Sequence, residues 1–210
     1  SFAISNTMKH LLSLILILLL IPCLTGFTQN KTVVNLTEAC HFESTNIPLF
    51  AAYAEQADKE GLPKVATFFR AISKAASIHA ANFQELLTKM GVTVTPIKTE
   101  ISLMTPELNI QDALKLIRIE AGINYAEYLE QAKTDNEKSA SKALRLARET
   151  EQQSLQLFVN VADALANENT KILPAFYWVC PNCGNLYDVP DPENECSFCN
   201  TGNGKFLKVI

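Results

Sequence analysis

Apolar residues recur every three or four positions along four long segments of the chain. In the second segment, for example, Val65, Phe68, Ile72 and Phe83 fall on one stripe of a helical projection. This period predicts amphipathic α-helices, each of which buries one face. The four predicted helices span residues 34–60, 63–90, 107–134 and 137–168.

Turn-forming residues separate these helices. Pro63 suits a first helical position and Gly91 suits a helix end, whereas Pro48 lies inside the first helix and predicts a kink or a new start there. The connection over residues 92–106 is β-prone and long for a helix pair. Four helices with one long middle connection predict a mainly α fold, with a ferritin-like four-helix bundle over residues 34–168.

The N-terminal segment has the pattern of an export signal. The stretch MKHLLSLILILLLIPCLTG places a lysine before about a dozen apolar residues and then small and polar ones. That order is typical of a secretory signal peptide, and the apolar run is short for a membrane span. We therefore expect a signal peptide over residues 1–28, with Met8 as a candidate start, and an exported, periplasmic protein. The alternatives are an uncleaved membrane anchor and a lipoprotein anchored at Cys23, which is disfavoured because Pro22 precedes the cysteine.

The net charge of the chain argues against a nucleic-acid partner. The 210 residues carry a formal net charge of −4, whereas a nucleic-acid-binding protein usually presents a basic face. We therefore expect no nucleic-acid partner.

Four of the six cysteines form two C-x-x-C pairs near the C-terminus, CPNC (180–183) and CSFC (196–199). Four thiolates at this spacing can converge tetrahedrally on one iron or zinc ion, whereas two disulfides are the alternative in an exported protein. The tail over residues 176–210 is too short to hold itself together without a metal. A linker over residues 169–175 joins it to the bundle. The predicted ligands are Cys180, Cys183, Cys196 and Cys199.

Ionisable residues interrupt the buried stripe of every bundle helix. On the third helix, Glu120 shares its predicted buried face with Ile117, Asn124 and Tyr128. A buried carboxylate is costly unless it is paired, protonated or bound to a metal. A single glutamate could be explained by solvent at the edge of the apolar stripe or by an arginine that pairs with it. One ionisable residue on each of four helices indicates a shared site instead. The four residues are Glu43, His79, Glu120 and Glu151.

Carboxylate-bridged di-iron bundles provide a template for this pattern. Two of their helices each give one Glu, and the other two give Glu-x-x-His, whose spacing places both side chains on one face. Here the corresponding pairs read Ala76-x-x-His79 and Glu151-x-x-Ser154. The geometry of the template is kept, but half of each pair is missing.

At these residues the chain resembles the rubrerythrin family over nearly all of the sequence that follows the signal. The stretches FESTNIPLFAAYAEQADKEGLP, RAISKAASIHAANFQELL, INYAEYLEQA and RETEQQSLQLF look like parts of that family's four helices. The tail YWVCPNCGNLYDV…CSFC is similar to its rubredoxin-like domain. The resemblance implies a homodimeric, iron-dependent protein in which the rubredoxin-type iron passes electrons to a di-iron site that reduces hydrogen peroxide.

The resemblance also reveals departures at the bundle site. The family's carboxylates and histidines fall on seven positions, and those that carry no usual iron ligand here are Ala76, Ile117 and Ser154. The losses mostly affect one of the two irons. In the family arrangement one iron would be served by Glu43, His79 and Glu120, and all three remain, as does the bridging Glu151. We therefore hypothesise one Fe, Mn or Zn ion held by these four residues. A metal-free, decayed site is the alternative.

These interpretations lead to one expected function and two others. The expected function is an exported oxidoreductase, a homodimer supplied by a redox donor protein, that passes electrons from a four-cysteine iron to the bundle metal and reduces hydrogen peroxide. The alternative is a non-enzymatic metal-binding or electron-transfer protein with a decayed di-iron site. A ferroxidase or iron-storage role is disfavoured, because it would also need two irons.

Overall fold

The computed structural model describes residues 30–210, so the signal peptide predicted over residues 1–28, with Met8 and Cys23, lies outside the described residues. Among the helices of residues 30–210, none combines the length and the apolar composition that a membrane span requires.

Within residues 30–210, five α-helices and one π-helical turn build the main body of the molecule. In chain order they are α1 (Lys31–Lys59), α2 (Pro63–Lys89), α3 (Pro106–Ile119), the π turn (Glu120–Asn124), α4 (Tyr125–Thr134) and α5 (Lys138–Ala166). The elements α3, π turn and α4 follow one another without a break and together form one long helix of a four-helix bundle. The structure is therefore mainly α, as predicted.

The ends of the helices follow local chemistry. Helix α1 begins at Lys31 rather than at residue 34, because the side-chain oxygen of Asn30 accepts a hydrogen bond from the Thr32 amide at 2.9 Å. Pro48 neither ends nor restarts this helix, which runs continuously to Lys59. Residues 92–105, which looked β-prone, form neither helix nor strand.

Two apolar clusters fill the bundle, and the ionisable residues lie between them along each helix. One cluster contains Phe50, Phe68 and Phe158, and the rings of the last two meet edge to face with centroids 4.9 Å apart. The other contains Leu36, Phe83, Tyr125 and Leu144. Each such side chain contributes about 1.5–3 kcal/mol when it is fully buried. Strong apolar packing on both sides can therefore hold a polar site in place.

A small β module follows the bundle. Its strands are β1 (Tyr177–Val179), β2 (Leu186–Tyr187) and β3 (Leu207–Val209), and they pair antiparallel in the order β2-β1-β3. The intervening segment includes a 3₁₀ turn (Thr170–Ile172) and is held to the start of α2 by Lys64, whose Nζ donates to the Leu173 carbonyl at 2.6 Å.

The module shares a core with the bundle. Tyr177, Val179 and Leu186 belong to the same buried apolar cluster as Phe68 and Phe158. The rings of Phe68 and Tyr177 lie with their centroids 5.7 Å apart. This packing places one face of the module directly on α2 and α5, next to the ionisable residues.

Candidate metal sites

Three of the four ionisable bundle residues meet in a buried group. Glu43 comes from α1, His79 from α2 and Glu151 from α5, and ligand atoms of all three lie within 4.8 Å of one another. The Nδ1 atom of His79 is 2.8 Å from Oε1 of Glu43 and 4.0 Å from Oε1 of Glu151. The side chains converge because each occupies a core position of its helix; Glu43, for example, follows Leu36 and Cys40 at i+7 and i+3.

Burial makes the negative charge of the carboxylates in this group unfavourable. Desolvation, reinforced by the adjacent Glu43, raises the pKa of Glu151 well above its usual value. Within residues 30–210, Oε2 of Glu151 is buried without a hydrogen-bond partner. Burial alone would lower the pKa of His79, but the Glu43 carboxylate and the Cys183 carbonyl raise it on balance. A divalent cation among these carboxylates would compensate the buried negative charge and give Oε2 a partner.

Glu120 is buried nearby but lies outside the three-residue group. It starts the π turn, and its Oε2 accepts a hydrogen bond from Nδ2 of Asn124 at 2.6 Å. Burial, opposed by this hydrogen bond and reinforced by Glu43 and Glu38, raises the pKa of Glu120 to about 7. The structure thus places three of the hypothesised ligands together, whereas the Glu120 carboxylate lies outside the group and is hydrogen-bonded to Asn124.

The four tail cysteines form a compact cage. Their Sγ atoms all lie within 4.8 Å of one another. The Sγ atoms of Cys180 and Cys199 are 3.5 Å apart, and those of Cys183 and Cys196 are 3.4 Å apart. A tetrahedral ion with metal–sulfur bonds of about 2.3 Å would set the sulfurs about 3.8 Å apart, whereas a disulfide bond is about 2.05 Å long. Among the described cysteines all are free thiols, so the cage fits a metal ion rather than two disulfides.

Backbone hydrogen bonds shape the two turns that carry the cysteine ligands. Each C-x-x-C turn, together with the residue that follows it, forms a knuckle, 180–184 and 196–200. In the first, the Gly184 amide donates to the Cys180 carbonyl at 2.9 Å; in the second, the Asn200 amide donates to the Cys196 carbonyl at 2.8 Å. Cys180 and Cys183 titrate as a pair: the Cys183 thiol, together with nearby backbone amides, lowers the pKa of Cys180, and the pKa of Cys183 rises in turn. The thiolate is the form that binds metal, so this pair gives up its first proton readily, and a metal ion would have to displace the second.

A hydrogen bond joins the two sites. The Nε2 atom of His79 lies 2.9 Å from the backbone carbonyl oxygen of Cys183. Because the carbonyl can only accept, the imidazole donates through Nε2, which leaves Nδ1 facing the carboxylates. A ligand position of the cysteine cage and a residue of the bundle group are thus in direct contact.

A family model described as rubrerythrin matches residues 35–171. The chain belongs to the rubrerythrin family. The resemblance inferred from the helices and the cysteine tail is therefore confirmed, and the fold places this iron-binding family's bundle before a four-cysteine module.

Individual relatives agree with this assignment. Rubrerythrin-2 of Clostridium acetobutylicum is 27% identical over 161 residues, which cover 75% of this chain and 85% of that protein. Reverse rubrerythrin-1 of the same organism is 29% identical over 83 residues, which cover 40% of this chain and 46% of that protein.

Solved structures show the same fold at lower identity. Nigerythrin in a mixed-valence state has a TM-score of 0.77 at 19% identity, with 89% of this chain and 90% of that chain covered. An open-pore ferritin from Archaeoglobus fulgidus has a TM-score of 0.59 at 15% identity, with 67% and 88% covered. The predicted ferritin-like fold is thus confirmed.

The three rubrerythrin ligand positions that this chain has lost surround one small cavity. Ala76, Ile117 and Ser154 line it together with Glu43, His79, Glu151 and several apolar residues, and its volume is about 10 Å³. A cavity of this size holds about one water molecule. The Ser154 hydroxyl donates to the Thr150 carbonyl of its own helix at 2.9 Å. The residues present therefore fit one ion beside Glu43, His79 and Glu151 and do not fit a second.

Two further residues of the site were missed from the sequence. The Tyr125 hydroxyl donates to Oε1 of Glu43 at 2.7 Å, although the regular helical period placed Asn124 on the buried face. The π turn adds one residue to that turn of helix, so that Tyr125 faces inwards instead. Thr150 lies 3.2 Å from Nε2 of His79, and its position three residues after Ala147 on the buried stripe would have indicated it.

Proposed function

We propose that this chain is an oxidoreductase of the rubrerythrin type, which passes electrons between an iron in the four-cysteine module and one ion in the bundle and reduces hydrogen peroxide. The iron ligands would be Cys180, Cys183, Cys196 and Cys199, and the bundle ion would bind Glu43, His79 and Glu151, with Glu120 as a further candidate. With iron bound, each site supplies one-electron chemistry, whereas zinc in the cysteine cage would only stabilise the module.

The hydrogen bond from His79 to the Cys183 carbonyl carries this proposal. It leaves a short route from the Cys183 sulfur through its own backbone to the imidazole. Reduction of hydrogen peroxide to two water molecules needs two electrons and two protons, and the chain offers two adjacent sites rather than one iron pair.

Other residues prepare the bundle site for a small substrate. Tyr125 holds the Glu43 carboxylate through its hydroxyl, and the cavity beside Glu151 admits molecules of about the size of water. Phe50 and Phe158 line the same cavity and exclude bulk solvent. Oε2 of Glu151, which is buried and has no hydrogen-bond partner among residues 30–210, is placed to hold a proton or bind the ion.

The proposal extends to assembly and location. Membership of the rubrerythrin family supports a redox donor protein and a homodimer, and the apolar N-terminal run supports export. Fractionation of the cells would test export, and N-terminal sequencing of the protein would test signal cleavage. A mature chain that still carries the apolar run over residues 11–21 would contradict signal cleavage.

Reoxidation kinetics test the activity. Protein purified without oxygen is reduced with dithionite until the visible absorption of the four-cysteine iron bleaches, and hydrogen peroxide is then added. We expect the absorption to return in the wild type and in His41→Asn, whose imidazole contacts the Thr95 carbonyl away from the site. We expect it to return at least about tenfold more slowly in His79→Asn. If peroxide fails to restore the wild-type absorption, the peroxidase proposal is wrong.

The non-enzymatic alternative has its own observation in its favour. Three family ligand positions carry Ala76, Ile117 and Ser154, and the space between them is nearly closed. Metal analysis per chain separates the cases. One ion means that only the cysteine cage is filled, two support the single-ion bundle site, and three contradict our interpretation of the lost ligands.

A further inference from the structure

The hydroxyl of Thr150 lies at the contact between the bundle and the four-cysteine module. Its Oγ1 atom is 3.2 Å from Nε2 of His79 and 3.4 Å from the Cys183 carbonyl oxygen. The residue comes from α5, immediately before Glu151, and only 2% of its surface is exposed. It occupies none of the seven ligand positions matched to the family.

The direction of this hydroxyl follows from its own helix. Oγ1 lies 2.9 Å from the carbonyl oxygen of Leu146 and 3.0 Å from that of Ala147. A hydroxyl has one hydrogen to donate and two lone pairs. When the hydrogen points back into the helix, as is common for threonine at this spacing, a lone pair faces the imidazole.

The imidazole hydrogen then has two acceptors. The Cys183 carbonyl is 2.9 Å from Nε2 and can only accept, so Nε2 carries the hydrogen. Thr150 Oγ1 is the second oxygen within reach of the same N–H. The opposite nitrogen, Nδ1, faces Glu43 and Glu151. A metal on Nδ1 requires the hydrogen to be on Nε2, which is the arrangement that these two oxygens favour.

We propose that Thr150 is a positioning residue for the bundle metal. Its hydroxyl, together with the Cys183 carbonyl, holds His79 with its hydrogen on Nε2, so that Nδ1 is free to bind the ion beside the two carboxylates. This inference rests on the proposed function and adds to it a residue that acts on the metal through His79. Partners of this kind typically change metal affinity by about 10–100-fold.

Cobalt titration tests the role. With zinc already filling the four-cysteine cage, Co²⁺ is added and the visible spectrum of the bundle site gives its dissociation constant. We expect Thr150→Val to weaken binding about 10–100-fold and Thr150→Ser, which keeps the hydroxyl, to stay within about threefold of the wild type. Thr67→Val is the matched control, because Thr67 is also buried and its hydroxyl donates to the Pro63 carbonyl of its own helix at 3.0 Å, away from the site.

A second measurement keeps the test decisive. Thr150→Ala also lacks the hydroxyl and replaces Thr150→Val should that variant fail to fold. If both hydroxyl-free variants bind Co²⁺ like the wild type, the inference is overturned. If the wild type itself binds no Co²⁺, the metal part of the proposed function fails instead. The role of Thr150 is then decided by NMR: the His79 Nε2–H signal should exchange with water about tenfold faster without the hydroxyl, and an unchanged rate would refute it.

Discussion

Gly184 meets two demands at once. Its φ angle is +77°, in the left-handed region that favours glycine, and a Cβ atom at this position would lie 2.5 Å from Nε2 of His79. The second knuckle repeats the turn with Asn200 at a φ of 58°, where the side chain points to solvent. The two knuckles therefore differ in their surroundings, because only the first one lies against His79. Glycine is required only at this contact between the module and the bundle site.

Replacing this glycine should separate the two sites. In Gly184→Ala the new methyl group displaces either the imidazole or the knuckle, and we expect the free energy of unfolding to fall by about 1–3 kcal/mol. Reoxidation of the reduced four-cysteine iron by peroxide should slow in the same variant. Gly204→Ala is the control within the module, because its Cβ would meet no atom of residues 30–210 within 4 Å. Equal effects of the two substitutions would contradict a specific contact at Gly184.

Glu120 predicts a pH dependence of the metal-free protein. Its pKa rises from 4.5 to about 7 on folding, so between these values the folded state binds more protons than the unfolded state. The stability that this group contributes is thus complete below about pH 4.5 and is lost as the pH rises towards 7, a change on the order of 2–3 kcal/mol. Urea unfolding from pH 5 to 8 should show a flatter decline for Glu120→Gln than for the wild type. The exposed Glu107→Gln should keep the wild-type slope.

At the scale of elements, the third bundle helix shows where sequence periodicity stops being sufficient. The spacing of apolar residues correctly indicated one helix over residues 107–134, and it included Glu120 on the buried side. It could not indicate the π turn, because one extra residue in a turn leaves no compositional mark. That turn brings Tyr125 to Glu43, while Asn124 contacts Glu120.

The contact between the module and the bundle could also not be predicted from the sequence. The cysteine spacing indicated a metal cage, and the polar residues on the stripes indicated a buried group, each from local patterns. The distance between them depends on how the tail packs, and the apolar residues Tyr177, Val179 and Leu186 decide that by joining the bundle core. Their pattern fits a small internal core equally well.

Helix α1 allows a prediction about its internal proline. Pro48 has no N–H to donate to the Ser44 carbonyl, yet the helix continues through it. The side chain is exposed, so Pro48→Ala removes no packing, and we expect the free energy of unfolding to rise by about 2 kcal/mol. Cobalt affinity should stay unchanged, because the Tyr125 hydroxyl holds the Glu43 carboxylate in place. Glu55→Ala, at an exposed position of the same helix, should change stability by less than about 0.5 kcal/mol. Loss of stability in Pro48→Ala would show that the proline shapes the helix.

At the scale of the whole molecule, metal binding in the tail should stabilise the bundle. Without metal in the cysteine cage, the short module has too small a core of its own to stay folded. When the module opens, Tyr177, Val179 and Leu186 leave the shared core and expose Phe68 beneath them. Each of these side chains is worth about 1.5–3 kcal/mol when buried, so the loss reaches far beyond the tail.

The single tryptophan makes this coupling measurable. The chain contains one Trp, Trp178, and it lies in β1 of the module, whereas far-UV circular dichroism reports the helices. With metal in the cage, we expect fluorescence and dichroism to follow one transition on urea unfolding, because the two parts share a core. In Cys196→Ala/Cys199→Ala, which cannot complete the cage, the fluorescence should already be that of an open module, and the helices should unfold at a lower urea concentration. If the metal-bound protein loses its fluorescence signal well before its helices, or if the helices of the double variant unfold at the wild-type midpoint, the module and the bundle fold independently and the shared core does not couple them.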